Sequence, residues 1–212
     1  MAIKPILFNT EMVRAILDGH KSCTRRICKD ANEYTVPDMN FYNVDKRTYA
    51  VHNFADLEHT EQLSTAEKTC PICPGDVLYV RETWYKGLER YLYRADYSDT
   101  EKFYRDGKEV KIKWKPSIHM PKEAARIWLK VTDVRVERLQ EITEDGAKAE
   151  GANFKNGKNV GFEEKMNRTA IERFAEIWNS TIKKADRDRY GWDASPWVWV
   201  IEFERCEKPD GN

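Results

Sequence analysis

Regular alternation of apolar and polar residues between Arg126 and Leu139 limits the fold of this chain more than any other feature. The apolar positions recur at every second residue, apart from a bend expected at Thr132–Asp133; they are Ile127, Leu129, Val131, Val134 and Val136. A period of two places these side chains on one face of a β-strand, whereas a helix needs a period of about 3.6. A second apolar strand, predicted from Trp197 to Phe203, lies near the carboxyl terminus. The sequence therefore predicts long strands that are far apart in the chain.

Shorter elements surround these two strands. Strands are predicted at Lys4–Phe8, Val77–Thr83, Tyr91–Ala95 and, after a hairpin turn at Asp106–Gly107, Val110–Trp114. A first helix is predicted to begin after Asn9 or Thr10 and to end at Gly19, and a second to begin after Thr143 and to end at Gly151. A third is predicted within the amphipathic segment Phe162–Trp178. Many short strands with a few helices indicate an α+β fold, a mixed β-barrel flanked by helices rather than a parallel α/β sheet.

The length of 212 residues suits a single domain spanning 1–212 with insertions. Residues 29–72 scatter Asn and Asp among aromatic residues without a long period, which predicts an insertion of short hairpins. Residues 85–113 are predicted to be a further elaboration. Lysine plus arginine and aspartate plus glutamate both number 36 and cancel. This balance disfavours a general nucleic-acid coat protein, although a local basic face is compatible with it.

Compartment and metal content are constrained by what the chain lacks. Met1–Pro5 lacks the apolar stretch of a signal peptide, and no apolar run is long enough to span a bilayer, so a cytoplasmic location is expected.

Five cysteines, an odd number, argue against a disulfide framework. Cys70 and Cys73 have the spacing of half a zinc knuckle, for which the candidate second halves are Cys23 with Cys28 or His52 with His59. Neither pair has zinc-finger spacing, so reduced thiols are favoured and neither metal nor cofactor is predicted.

The segment after the first predicted helix carries the candidate reactive groups. Gly19 can adopt a positive φ, so the residues that follow emerge from a well-defined helix end and are suited to line a pocket. The segment is Gly19-His20-Lys21-Ser22-Cys23-Thr24-Arg25-Arg26. It resembles the signature of the ASCH family: glycine, any residue, lysine, two residues, threonine or glutamate, then arginine.

Other segments extend the resemblance in the order typical of the ASCH family. They are the Pro74–Asp76 turn leading into Val77–Glu82, Leu139–Gly151, and the terminal strand ending Val200–Phe203. The chain more particularly resembles the longer bacteriophage and prophage members, through Trp114–Pro121 and Tyr190–Asp193. Much of 29–72 and 85–113 departs from the small members, which lack such insertions.

This resemblance implies a PUA-like barrel and RNA or a modified nucleoside as partner. Some small members are amidohydrolases that remove the acetyl group of N-acetylcytidine, and their catalytic lysine, threonine and glutamate correspond to Lys21, Thr24 and Glu150 here. Another member is a ribonuclease. We therefore expect recognition of RNA or a modified nucleoside, with amide hydrolysis on an acylated base as its sharper form. A non-catalytic RNA-binding or regulatory module is the alternative, and a ribonuclease is a further one.

The three residues have the chemistry that hydrolysis requires. The Thr24 hydroxyl becomes a useful nucleophile only if a neighbour takes its proton, and Lys21 serves if desolvation and nearby arginines lower its pKa. Glu150 would carry the proton to the leaving amine, while backbone amides after Gly19 or an arginine would stabilise the oxyanion. The competing interpretation is that Lys21 and Thr24 belong to a solvated loop and Glu150 to a solvated helix end.

Further residues are candidates for binding substrate or RNA. The candidates for phosphate contact are the cationic residues Lys21, Arg25, Arg26, Lys113 and Lys115. The candidates for base stacking are Trp84 and Trp114. The polar candidates are Glu82, Ser117 and His119. For each aromatic residue a place in the core is favoured over stacking, and for His119 a partly buried ring with backbone partners is favoured over a role in binding. For Glu82 a salt bridge is the alternative. Residues 190–197 could border the pocket, but we favour a role in locking the last strand in place.

Overall fold

The computed structural model describes residues 1–29, 43–45, 48–52, 65–105, 107–155, 158–161 and 167–209. The strands are β1 Ile3–Leu7, β2 Cys23–Ile27, β3 Asn43–Asp45, β4 Thr48–His52, β5 Thr65–Thr69, β6 Val77–Arg81, β7 Trp84–Lys86, β8 Tyr91–Tyr93, β9 Phe103–Arg105, β10 Lys108–Val110, β11 Trp128–Arg138, β12 Phe154–Lys155, β13 Lys158–Asn159 and β14 Trp197–Cys206. The helices are α1 Thr10–Leu17, α2 Glu144–Ala149, α3 Ala170–Thr181 and α4 Arg187–Tyr190.

A five-stranded mixed sheet in the order β1-β6-β11-β14-β2 organises the molecule. β1 and β6 are parallel, and the other neighbours are antiparallel. β11 and β14, the two strands most evident in the sequence, pair along their whole length, from Trp128 opposite Cys206 to Arg138 opposite Trp197. Their register shifts between Val131 and Asp133, which confirms the bend predicted at Thr132–Asp133.

The two edge strands of this sheet approach one another. Arg26 on β2 donates a hydrogen bond of 2.8 Å to the backbone oxygen of Leu7 on β1, and its guanidinium carbon lies 5.3 Å from the centre of the Phe8 ring. The sheet is therefore curled so that a side chain joins its edges, as in a barrel closed without a continuous backbone ladder. Mixed strands with packed helices confirm the predicted α+β class.

Both faces of β14 are buried, and this explains its nearly continuous apolar sequence. On one face, Trp199 and Ile201 join a core that includes Leu78, Leu129 and Val13 from α1. On the other face, Val198 and Val200 join a second core that includes Leu139 and the α3 residues Phe174 and Trp178. Each face thus has its own helix, which removes apolar surface from water on both sides of the central strands.

Side-chain caps set the helix ends. Asn9 accepts a hydrogen bond of 2.9 Å from the Met12 amide at the start of α1, and Thr143 accepts one of 3.0 Å from the Gly146 amide at the start of α2. Both caps confirm the predicted starts. Gly19 has φ +75° just beyond α1, as its predicted C-terminal role requires.

Some predicted boundaries are wrong, and local interactions explain the differences. α3 begins at Ala170 because Thr169 and Glu172 form a reciprocal capping box, with bonds of 3.1 and 2.7 Å. The remainder of the amphipathic segment predicted from Phe162 falls partly in 162–166, outside the described residues. The strand predicted at Val110–Trp114 is instead β10, which ends at Val110 and pairs with β9 across the predicted turn. The strand predicted at Tyr91–Ala95 ends at Tyr93, since residues 94–96 form a 3₁₀ turn.

Within the predicted insertion 29–72, β3, β4 and β5 form a three-stranded antiparallel sheet. Residues 30–42, 46–47 and 53–64 of that segment lie outside the described residues. The extent of the insertion, the elaboration at 85–113 and the assignment of 1–212 to one domain remain predictions. Among the helices that the structure describes, none has the length and apolar character needed to cross a bilayer.

Candidate functional site

A buried ion pair lies at the centre of the candidate site. The Lys21 amine lies 2.5 Å from Glu150 Oε2 and also donates a hydrogen bond of 3.0 Å to the Glu150 backbone oxygen. The Lys21 side chain is 0% exposed and the Glu150 side chain 4% exposed. Two charges removed from water in this way must compensate one another, because either one alone would be strongly destabilised.

The backbone fixes Lys21 before its side chain makes any contact. The amides of His20 and Lys21 both donate to the Ala15 oxygen at the end of α1, at 2.8 and 3.1 Å. The next amide, that of Ser22, donates at 2.9 Å to the Ala149 oxygen at the end of α2. The ends of two helices that are distant in sequence therefore hold the segment between them.

Gly151 brings Glu150 to Lys21. Glu150 follows the last residue of α2, and Gly151 turns the chain with φ +88°. A Cβ at this position would lie 3.2 Å from the Ala15 Cβ and 3.6 Å from the Lys21 Cβ. Only glycine combines this conformation with such a close approach of the two helix ends, so the turn allows the carboxylate to reach the amine.

Arg25 is the second cation on the same carboxylate. Its Nη1 lies 3.4 Å from Glu150 Oε1, and its Nη2 lies 3.2 Å from Glu137 Oε2 on β11. The Arg25 side chain is 2% exposed, and its Nε–H is buried without a hydrogen-bond partner among the described residues. Glu137 in turn pairs with Arg135 Nε at 2.5 Å. An unpaired buried donor is costly, and the two carboxylates on the same guanidinium offset part of that cost.

A cavity of about 230 Å³ adjoins these charges. Thr24, Arg25, Arg26 and Glu150 line one side of it, and apolar α3 residues that include Phe174, Ile177 and Trp178 line the other. Thr24 is 1% exposed, and its hydroxyl has no hydrogen bond to another described residue. Lys21 is not among the lining residues, because Glu150 lies between its amine and the space.

The structure therefore brings Thr24, Arg25, Arg26 and Glu150 to one cavity, with Lys21 directly behind the carboxylate. Three cationic side chains, Lys21, Arg25 and Arg26, are grouped with the two carboxylates of Glu150 and Glu137, so the surroundings favour an anion or a developing negative charge. Sequence reasoning missed Glu137 and the α3 residues of the wall. The apolar face of the predicted amphipathic helix was the available signal for the latter.

Cys23 is next to the site but is unsuited to act as a nucleophile. Burial, and secondarily the negative charge of Glu150, raise the pKa of its thiol to about 12. The thiol therefore stays protonated near neutral pH, whereas nucleophilic attack requires the thiolate. Two hydroxyl residues line the cavity, Thr24 and Thr181, and the Thr181 hydroxyl donates a hydrogen bond of 2.7 Å to the Trp178 backbone oxygen.

Glu82 has the salt-bridge role that was its alternative interpretation. Its buried carboxylate accepts two hydrogen bonds from Arg126, at 2.9 and 3.1 Å. Burial raises the pKa of Glu82, while the Arg126 guanidinium opposes that rise. The Arg126 guanidinium carbon also lies 4.0 Å from the centre of the Tyr93 ring. Glu82 is not among the residues that line the 230 Å³ cavity.

The aromatic and basic candidates on the 114–119 segment lie elsewhere. Trp84 is 4% exposed and packs with Met120 and Ala124, with the Lys115 amine 5.0 Å from the centre of its ring. In this structure Trp84 is a core residue, and its ring has no open face for base stacking. Trp114 is half-buried and its ring centre lies 5.9 Å from those of Tyr97 and Phe103. Lys115 and His119 are exposed, and Ser117 is half-buried.

No metal site is apparent in the part of the chain that the structure describes, where no group of three His, Cys, Asp or Glu residues could hold an ion. All five cysteines carry free thiols, and Cys70 is buried whereas Cys73 is partly exposed. Of the other candidate ligands, His59 lies outside the described residues.

Comparison with known proteins adds little to this α+β protein with a cationic cavity beside a buried ion pair. No protein-family model matches the chain. No curated protein matches it either. Among solved structures, the ASCH domain from Lactobacillus crispatus is similar at 10% sequence identity, with 96% of this chain and 79% of that chain covered and a TM-score of 0.35. A likeness of that extent supports no conclusion about family or function.

Proposed function

We propose that this protein recognises RNA or a modified nucleoside and hydrolyses an amide on an acylated base such as N-acetylcytidine. The carrying observation is the buried Lys21–Glu150 pair of 2.5 Å beside a cavity that Thr24 lines. The ASCH-like motifs at Gly19–Arg26 and Leu139–Gly151 imply the same three residues. The proposal is therefore supported by the sequence motifs and by the positions of the side chains.

The proposed reaction uses the ion pair as a single proton acceptor. The Thr24 oxygen attacks the acyl carbon, and its proton passes to the Glu150 carboxylate, which Lys21 holds in place. The C–N bond breaks, Glu150 returns the proton to the leaving amine, and the acyl group remains as an ester on Thr24. Water then attacks the ester with the same carboxylate as base, which releases the acid and restores the hydroxyl.

Arginine supplies the electrostatic part of the proposed reaction. Negative charge develops on the acyl oxygen as Thr24 attacks, and a fixed donor in a dry site stabilises it more than water would. Arg25 and Arg26 both line the cavity and are the candidates for this donor. A guanidinium stabilises negative charge by donating hydrogen bonds, so it needs no proton transfer to act.

The test is release of cytidine from N-acetylcytidine, followed by chromatography, with purified wild-type protein and three variants. Thr24→Ala is expected to reduce the rate by about 10⁴-fold, since it removes the nucleophile. Glu150→Gln is expected to reduce it by about 10²- to 10⁴-fold, the usual contribution of general acid–base catalysis. Cys23→Ser should remain active, because its thiol has no role in the reaction. Circular dichroism of each variant separates lost chemistry from lost folding. Full activity of Thr24→Ala would refute the proposed nucleophile.

Recognition of RNA without catalysis is the second candidate, and one surface feature favours it. Lys111, Lys113 and Lys115 are exposed beside the half-buried Trp114, which is a cationic and aromatic combination suited to a nucleic-acid strand. If N-acetylcytidine is not hydrolysed but RNA binds in a salt-sensitive manner that weakens in Lys113→Ala, this candidate replaces the first. Cleavage of RNA into fragments would instead identify a ribonuclease.

A further inference from the structure

A second cavity, of about 320 Å³, adjoins the first. Met12, Glu150 and Ile177 line both spaces, so the two cavities meet across these side chains between α1 and α3. None of the other residues that line the second cavity was a candidate in the sequence. The cleft as a whole therefore has two chambers with Glu150 at their junction.

The larger chamber is a built site with mostly apolar walls. Its apolar residues include Ala15, Ala152, Phe154 and Val160. The exposed His20 ring stacks on Phe154, with ring centres 5.0 Å apart and an angle of 29° between the planes. Buried Arg173 donates at 3.2 Å to the Ala152 oxygen, which anchors the loop that forms one wall. Apolar walls that include an aromatic residue suit an aromatic ring.

The polar groups of the two chambers have opposite character. The larger chamber is lined by Glu11 and Glu176 together with Arg173, and Glu11 Oε1 pairs with Arg14 at 2.7 Å. The smaller chamber is lined by Arg25 and Arg26. A ligand that spans the cleft is therefore matched by an N–H donor at one end and a carbonyl or other acceptor at the other.

We infer that the larger chamber binds the base that is released, a heteroaromatic ring carrying N–H donors, while the smaller chamber holds the acyl group. This inference rests on the proposed function. The sizes agree with it, because pockets for small molecules typically begin at about 300 Å³, which only the larger chamber reaches. Glu150 then lies between acyl group and base, at the position from which an acid protonates the leaving amine.

A matched pair of residues on α3 separates the chambers experimentally. Ser180 lines only the larger chamber and its neighbour Thr181 only the smaller one. Both are exposed, and each hydroxyl makes the same kind of bond to a backbone oxygen three residues earlier, at 2.6 and 2.7 Å. Ser180→Trp and Thr181→Trp therefore place the same bulky side chain on the same helix end but obstruct different spaces.

Both substitutions are made in the Thr24→Ala background, so that binding of cytidine and of N-acetylcytidine is measured by calorimetry without turnover. Ser180→Trp is expected to weaken the binding of both ligands by about tenfold or more, which corresponds to a loss of about 1.4 kcal/mol in binding free energy. Thr181→Trp is expected to weaken N-acetylcytidine much more than cytidine. Glu11→Gln should weaken cytidine several-fold, since the amide is a poorer acceptor. Thermal melting of each variant checks that the fold is retained.

The opposite pattern overturns the inference. If Thr181→Trp abolishes cytidine binding and Ser180→Trp retains it, the base binds in the smaller chamber. Failure of cytidine to bind the Thr24→Ala protein at millimolar concentration overturns it as well. The proposed function fails separately, if the wild-type protein binds cytidine in the Ser180-sensitive manner but does not hydrolyse N-acetylcytidine. Turnover of N-acetylcytidine with equal effects of both tryptophans on cytidine would keep the function and reject the two-chamber assignment.

Discussion

Replacing Lys21 by methionine tests the buried ion pair that underlies the site. Methionine keeps much of the volume but leaves Glu150 as a 4% exposed carboxylate whose remaining cation, Arg25, is 3.4 Å away. Removing one partner of a buried pair costs about 3–5 kcal/mol. Because Arg25 still compensates part of the charge, we expect a loss near the lower end, about 3 kcal/mol of unfolding free energy. For a chain of this length that loss lowers the melting temperature by about 6–12 °C.

Urea unfolding monitored by tryptophan fluorescence provides the free energies, and two further variants make the comparison specific. Lys21→Met combined with Glu150→Leu replaces the pair by apolar groups and should cost about 2 kcal/mol less than the sum of the single changes. Lys102→Met removes an exposed pair, 3.0 Å from Glu109 with side chains 63% and 52% exposed, and should cost less than about 1 kcal/mol. The reasoning would be refuted if the unfolding free energy of Lys21→Met lies within about 0.5 kcal/mol of the wild-type value. It would also be refuted if Lys21→Met and Lys102→Met lose the same unfolding free energy.

Three other predictions concern the frame of the fold and its thiols. Burial alone would raise the pKa of Asp76, but hydrogen bonds from a lysine amine and two backbone amides outweigh burial and lower that pKa. The stabilisation that the Asp76 carboxylate provides is therefore present above the unfolded pKa of about 3.9. It is lost as pH falls through the lower pKa of the folded state. Asp76→Asn should accordingly cost about 1.5–3 kcal/mol at neutral pH, and urea titrations should show the difference shrinking below about pH 4; a constant difference would contradict this. Thr143→Ala should cost about 1 kcal/mol and Thr143→Asn much less, because asparagine also caps a helix; equal losses in urea unfolding would count against the cap. Iodoacetamide at pH 8 should label the partly exposed Cys73 well before Cys23, whose thiol has a pKa of about 12, as measured by peptide mass spectrometry; early labelling of Cys23 would show that its burial is wrong.

If the proposed reaction holds, the position of Lys21 changes its expected role. Sequence reasoning treated the lysine as the group that takes the proton from Thr24. In the structure its amine is fully buried behind Glu150, which lines both chambers while Lys21 lines neither. We therefore expect Glu150 to exchange protons with the substrate and Lys21 to hold that carboxylate in place.

Local patterns were sufficient to predict much of the fold. The period of two along β11, its bend at Thr132–Asp133, and the caps at Asn9 and Thr143 all depend on interactions between residues a few positions apart. Such interactions leave their mark directly in the spacing of residue types. Element boundaries were predicted less well where a local hydrogen-bonding motif sets the end of an element. The capping box that starts α3 at Ala170 is an example.

The neighbours of each candidate residue were settled by tertiary packing alone. Lys21 and Glu150 are 129 positions apart, and their contact depends on a glycine turn that lets the ends of α1 and α2 approach closely. Periodicity states which face of an element is buried but not which distant element covers it, so it could not assign Trp84 to the core or Glu82 to Arg126. The same limit hid the second chamber, because a cavity is the space left between α1, α3 and the loop after α2, and no segment of the sequence encodes it separately.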